Sequence, residues 1–117
     1  MIPNLTAILT GDTATNAIVN GKVFRTFAEG TPAAPYIVWT IISGVPENNL
    51  SDLPDFDDAR IQVDCYSGSQ SQARQLGDAA QAALESLGYV VFGPIETREE
   101  ETQLYRRQFD WEIWSAR

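Results

Sequence analysis

The strongest regularity along the chain is the alternation of apolar and polar positions in two segments, which predicts β-strands. In residues 60–66, Ile61, Val63 and Cys65 point to one side and the polar residues between them to the other. Residues 104–114 alternate in the same way for nearly their whole length. Residues 36–42 are instead almost continuously β-branched or aromatic, which predicts a strand with both faces covered.

Two shorter runs also favour strands. Residues 23–27 follow an Asn-Gly turn signal at Asn20 and Gly21, and residues 89–92 precede Gly93-Pro94, where we expect the strand to end.

Helical spacing of apolar residues appears near the start of the chain. Leu5, Ile8 and Leu9 share one helical face, Gly11-Asp12 is expected to end that helix, and residues 14–19 can form a further helical turn.

The longest helix is predicted over residues 69–87. Ser69 and Gln72 fit a capping box at its start, and Ala and Leu residues keep helical spacing along one stripe. Gly88 stands where a left-handed residue would close the helix.

This order of elements predicts an α+β fold. We expect an antiparallel or mixed sheet of about four to five strands, with an N-terminal helix and one long helix packed on one face. At 117 residues, the chain is expected to form a single domain over residues 1–117.

Composition narrows the possible functions. The formal charge of −8 disfavours general binding to nucleic acids or anionic membranes, because phosphates would be repelled. The chain has no His, which removes imidazole general bases, triads and metal sites, and its single Cys65 lies in an apolar run typical of a buried residue. No apolar stretch approaches the ~20 residues of a membrane span. We therefore expect no catalytic residues, no cofactor and no metal.

Charged clusters and one aromatic residue are the candidates for contacts with other proteins. The long loop over residues 46–58 carries four Asp residues that could in principle bind a hard cation, although a solvated loop is the plainer interpretation. A run of three Glu residues is also more typical of a solvated connection, but could contact a basic neighbouring subunit. Trp114 is out of phase with its strand, so it packs either in the core or against another subunit. The candidate interface residues are Asp52, Asp55, Asp57, Asp58, Glu99, Glu100, Glu101 and Trp114.

The order of elements and three short motifs resemble the small tail-completion, or tail-terminator, proteins of siphophages and related prophages. The motifs are Ala-Pro-Tyr-Ile-Val at 34–38, Arg-Ile-Gln-Val-Asp-Cys-Tyr at 60–66, and the polar start and Ala-rich helix at 69–87. The resemblance covers nearly the full length.

This resemblance implies a structural virion protein that carries no catalytic residues. Such a protein forms a hexameric ring at the head-proximal end of the tail tube, stops tube polymerisation and provides the joint to the head. The implied partners are other copies of the chain, the tail tube protein and the head-completion or connector protein. DNA would pass through the lumen without specific binding. The implied location is the virion, after synthesis in the host bacterial cytoplasm.

Two other functions stay open at this point. Neck and minor tail proteins share this size and order of elements, so a monomeric adaptor, or a neck or minor tail protein without a ring-forming role, is the alternative. A carboxylate–metal hydrolase built on the Asp cluster of residues 52–58 is a third hypothesis, and it predicts stoichiometric binding of Mg²⁺ or Ca²⁺.

Overall fold

The computed structural model describes residues 4–26, 33–43, 60–100 and 102–113. The helices in these residues are α1 (Leu5–Gly11), α2 (Thr13–Val19) and α3 (Gln70–Leu84). The strands are β1 (Val23–Arg25), β2 (Tyr36–Ser43), β3 (Arg60–Ser67), β4 (Gly88–Arg98) and β5 (Tyr105–Ile113).

The five described strands form one mixed sheet in the order β1-β2-β3-β5-β4. β1 runs parallel to β2, and the other neighbours are antiparallel. The predicted α+β class, with a sheet of four to five strands, is confirmed. The long strand β4 and the three-residue strand β1 are the two edges of the sheet.

The helices pack on one face of the sheet, which we call the helix face, and the opposite face is called the outer face. Two tryptophan indoles tie the helices to the strands: Trp39 Nε1 donates to Thr6 Oγ1 at 2.9 Å, and Trp111 Nε1 donates to the Leu84 carbonyl at 3.1 Å. The fully buried apolar strand residues on this face are Ile37, Ile61, Val63, Cys65, Phe109 and Trp111.

Capping residues define the short N-terminal helices. Asn4 accepts from the Ala7 amide at 3.2 Å and begins α1. Asp12 ends α1 and caps α2, because its carboxylate accepts from both the amide and the hydroxyl of Thr15, at 3.0 and 2.7 Å. The predicted break at Gly11-Asp12 is confirmed.

The start of α3 differs in detail from a capping box. Ser69 accepts from the Gln72 amide at 3.3 Å, as predicted. The Gln72 side chain, however, accepts from the Ser67 hydroxyl at 2.6 Å, and Ser67 Oγ in turn accepts from the Ser69 amide at 3.1 Å. The Ser67 hydroxyl thus stands between the Gln72 side chain and the Ser69 amide, which contact each other directly in a capping box.

The prediction for the end of α3 was wrong. The helix ends at Leu84, and Gly88 is the buried first residue of β4, not a left-handed residue. A Cβ on Gly88 would collide with the Glu112 carbonyl oxygen and would lie 2.6 Å from the Trp111 ring. Close packing of β4 against β5 therefore requires glycine at this position.

The expected end of the fourth strand was also wrong. β4 continues through Gly93 and Pro94 to Arg98, with irregular register against β5 on both sides of Phe92. Gly93 has φ +87°, a conformation that favours glycine, and Pro94 offers no N–H to a partner strand. An edge strand tolerates both in a bulge.

β2 is covered on both faces only in its first half. Val38 is buried on the outer face, whereas Ile42 near the end of the strand is 45% exposed.

Candidate interaction surfaces

Most of the candidate residues named from sequence lie outside the described part of the chain. They are Asp52, Asp55, Asp57, Asp58, Glu101 and Trp114. Glu99 and Glu100 are described, and both lie in the connection between β4 and β5.

Glu99 organises the β4–β5 connection. Its amide donates to the Leu104 carbonyl at 2.9 Å, and its carbonyl accepts from the Gln103 amide at 2.8 Å. Its carboxylate accepts from the Thr102 hydroxyl at 3.0 Å and lies 3.8 Å from the Arg106 guanidinium. Glu99 therefore has a structural role that the run of three Glu residues did not indicate.

Glu100 is exposed at the turn itself, so its carboxylate faces solvent at the end of the sheet edge formed by β4.

The adjacent arginines of β5 lie on opposite faces of the sheet, as alternation requires. Arg107 lies on the helix face, where it bridges Glu96 of β4 at 2.7 Å and Asp78 of α3 at 3.0 Å. Arg74 of α3 also donates to Glu96, at 3.2 and 3.3 Å. Hydrogen bonding from Arg74 and the charge of Arg107 hold the pKa of Glu96 below its usual value. This network fixes α3 to the β4–β5 pair.

Two carboxylates are buried on the outer face. Asp110 accepts from both Nε and Nη2 of Arg60, at 3.2 and 2.9 Å, and Asp64 accepts from Gln62 at 2.9 Å. Asp110 is therefore paired across strands with Arg60 of β3. The second oxygen of each carboxylate is buried and accepts no hydrogen bond.

Burial raises the pKa of Asp64, and the nearby charges of Asp110 and Glu99 act in the same direction. The hydrogen bond from Gln62 and the charge of Arg106 oppose the shift. Asp64 is one of the polar residues that alternate with Ile61, Val63 and Cys65 on β3. Its burial within the sheet is a tertiary effect without a local signal.

Three aromatic rings cross the outer face at the β1 side of the sheet. Tyr36 stacks on Tyr66 with ring centroids 4.9 Å apart, and Phe24 of β1 meets Tyr36 edge-on at 6.3 Å. Phe24 is only half-buried at the sheet edge.

The other edge of the sheet carries three large exposed apolar side chains among the described residues. Tyr89, Phe92 and Ile95 of β4 are 43%, 52% and 39% exposed. Tyr89 reaches Glu112 on β5 at 3.3 Å through its hydroxyl. The sequence pattern did not predict this surface, because Gly93-Pro94 suggested that the strand ended. The available signal was the pair of apolar residues on both sides of that dipeptide.

Small-molecule chemistry has little support in the described residues. A cavity of about 210 Å³ between α3 and the ends of β4 and β5 is smaller than the ~300–1,000 Å³ of typical ligand pockets. Its lining residues are Gln70, Ala73, Glu96, Thr97, Arg98, Tyr105 and Arg106. Within the described ranges, no group of three His, Cys, Asp or Glu side chains is arranged to hold a metal ion. No described helix is long and apolar enough to cross a membrane.

Buried Cys65 is likewise no candidate nucleophile. Burial, together with the charge of Asp64, raises the pKa of its thiol far above the usual range, so the reactive thiolate is disfavoured.

Comparison with solved structures supports the fold. A chain in the virion of a native gene transfer agent particle matches with a TM-score of 0.57 and 16% identity, covering 93% of this chain and 89% of that chain. The gp17 protein of bacteriophage SPP1 matches with a TM-score of 0.55 and 14% identity, covering 93% of this chain and 85% of that chain. No curated protein sequence matches.

The family comparison covers almost the whole chain. The family described as tail completion protein gp17 matches residues 3–116. The chain therefore belongs to the tail completion protein gp17 family and has a structural role in a phage tail.

Proposed function

We propose that this protein caps the head-proximal end of the phage tail tube, where it stops tube polymerisation and provides the joint to the head connector. The family match over residues 3–116 carries this proposal. The likeness of its fold to the SPP1 gp17 protein and to a chain of a gene transfer agent virion supports it. In this function residues 1–117 act as one domain in the virion, after synthesis in the host bacterium.

The mechanism rests on protein contacts and involves no chemical step. Copies of the chain form a closed ring, in keeping with the hexamer implied by the family resemblance. One side of the ring covers the last layer of tube protein and the other meets the head-completion or connector protein. A ring of this kind uses two different patches on each subunit, and rotation closes it.

The charge of the chain suits a passage for DNA. A formal charge of −8 repels phosphates, so DNA can move through the lumen without being held there. The candidate residues outside the described ranges, the Asp cluster and Trp114 among them, remain proposed contacts in this assembly.

Inactivation of the gene in its phage or prophage tests the function. We expect filled heads without tails, together with free tails whose tubes are longer than normal. Expression of the wild-type chain in trans should restore joined particles of normal tail length.

The alternative functions give different outcomes. Tails of normal length that fail to join heads would support a neck or adaptor protein. Joined particles with normal tails would contradict both functions.

A further inference from the structure

The two edges of the sheet differ in length, charge and apolar exposure. No described element pairs with the outer side of β1 or of β4. β4 is an eleven-residue strand, and an edge strand of this length is an open template for another strand. Phe92 and Ile95 are exposed apolar side chains on its outer face, and covering them with another subunit would stabilise the contact.

The bulge in β4 restricts what can pair with this edge. Gly93 and Pro94 interrupt the strand near its middle, and Pro94 has no N–H to donate. Two copies of β4 pairing around a two-fold axis would bring both interruptions to or near the centre of the ladder. A short strand needs only one regular stretch of β4, and β1 has three residues.

The outer-face side chains of the two edges also match. If β1 of a second copy continues the sheet beyond β4, side chains of the same face become cross-strand neighbours. Phe24, which is half-buried on β1, would then lie beside the exposed Phe92 and Ile95. The rings of Tyr36 and Tyr66 extend this apolar surface behind Phe24.

Charge favours the same pairing. With a formal charge of −8 on each chain, two copies repel unless a contact brings basic residues against acidic ones. Lys22 and Arg25 flank and end β1, whereas Glu99 and Glu100 follow the end of β4. Complementary charges of this kind orient the partners and suppress the wrong pairing.

We propose that β4 of one subunit pairs with β1 of the next copy, so that a head-to-tail contact continues the sheet from subunit to subunit. This inference rests on the proposed function, because the pairing of β4 with β1 would be the subunit contact of the proposed ring. The occupant of the β4 edge is the β1 edge of an identical chain. The contact covers Phe92 and Ile95 with Phe24 and sets the basic residues around β1 against Glu99 and Glu100.

Disulfide trapping between two single-site variants tests the contact. Phe24→Cys and Ile95→Cys are made separately, and a size tag on one of them identifies the mixed dimer after mild oxidation. Cys65 is fully buried, so it gives little background. We expect the mixture to give several-fold more mixed dimer than either variant alone gives of disulfide-linked dimer.

The matched control is Ile42→Cys mixed with Ile95→Cys. Ile42 is also exposed on the sheet, at 45%, but it lies on the inner strand β2. Equal yields in the two mixtures would overturn the proposal, and so would a predominance of Ile95→Cys dimers. Circular dichroism of each variant checks that it is folded.

A charge exchange tests the electrostatic part in the same mixture. Glu100→Lys, added to the Ile95→Cys chain, should lower the yield of mixed dimer several-fold. Arg25→Glu, added to the Phe24→Cys chain, should restore it. An unchanged yield with Glu100→Lys, or no restoration, would overturn this part.

The trapping experiment tests the subunit contact independently of the capping function. Trapping by a protein that fails to cap tail tubes would keep the contact and reject the function. Capping without trapping would reject the contact alone.

Discussion

Arg107 of β5 lies across Gly77 of α3, where a Cβ on residue 77 would come within 2.8 Å of Arg107 Nε and 2.9 Å of its Cγ. The arginine side chain is only 13% exposed and is held by carboxylates of both α3 and β4. The glycine therefore leaves the space in which Arg107 connects the helix to the sheet.

Gly77→Ala tests this relationship. In an exposed helix this change raises the free energy of unfolding by up to about 1 kcal/mol. Here we expect it to lower the free energy of unfolding by about 1–2 kcal/mol, because the arginine must shift. Chemical denaturation of the two proteins measures the difference.

The control is the double variant with Arg107→Ala. Since no long side chain then lies over residue 77, Gly77→Ala should become neutral or stabilising in that background. The same loss in both backgrounds would show that Arg107 is not the cause.

Gly88→Ala should lower the free energy of unfolding more than the same change at a glycine with free space around it. The new Cβ meets a backbone carbonyl and an indole ring that cannot move away, so we expect a loss of about 3 kcal/mol or more. Gly11→Ala is the matched control, because no atom lies within 4 Å of its Cβ position. A loss of similar size at both glycines in thermal or chemical unfolding would contradict this packing account.

Asp64→Asn should change how stability depends on pH. The folded pKa of Asp64 is raised above its ordinary value of 3.8, so the stability that its neutral form contributes is complete below that value. This contribution is lost as the pH rises through the folded pKa. The variant cannot ionise at this position, so its free energy of unfolding relative to wild type should increase from about pH 4 to about pH 7.

Denaturation at several pH values measures this difference, and Gln108→Asn serves as a control. Gln108 lies opposite Asp64 on β5 and does not titrate, so its variant should differ from wild type by the same amount at each pH. A difference for Asp64→Asn that is constant, or that falls with pH, would contradict the raised pKa.

The sequence was sufficient for the elements whose pattern is local. Alternation at Ile61, Val63 and Cys65 and helical spacing at Leu5 and Leu9 predicted β3 and α1, and all five side chains are fully buried. The order of elements then predicted the class of fold.

The sequence did not predict features that depend on distant residues. Gly88 looked like a helix terminator because no local signal shows that Glu112 and Trp111 will pack against it. Gly93-Pro94 looked like a strand end because the register that accommodates the bulge is set by β5.

For the candidate surfaces too, the sequence predicted what depends on local composition and not what depends on distant residues. Composition pointed to the acidic residues Glu99 and Glu100, but it could not show that Glu99 is bound within a turn. The exposed edge of β4 depends on the order of strands in the sheet, and a one-dimensional pattern does not contain that order.

Electron microscopy tests the capping function, on tail tubes assembled from the tube protein of the same phage or prophage with and without this chain. We predict that added protein binds at one end of each tube and stops elongation there, so the tubes become shorter and more uniform. Tubes of unchanged length with no protein at either end would contradict the proposed capping function.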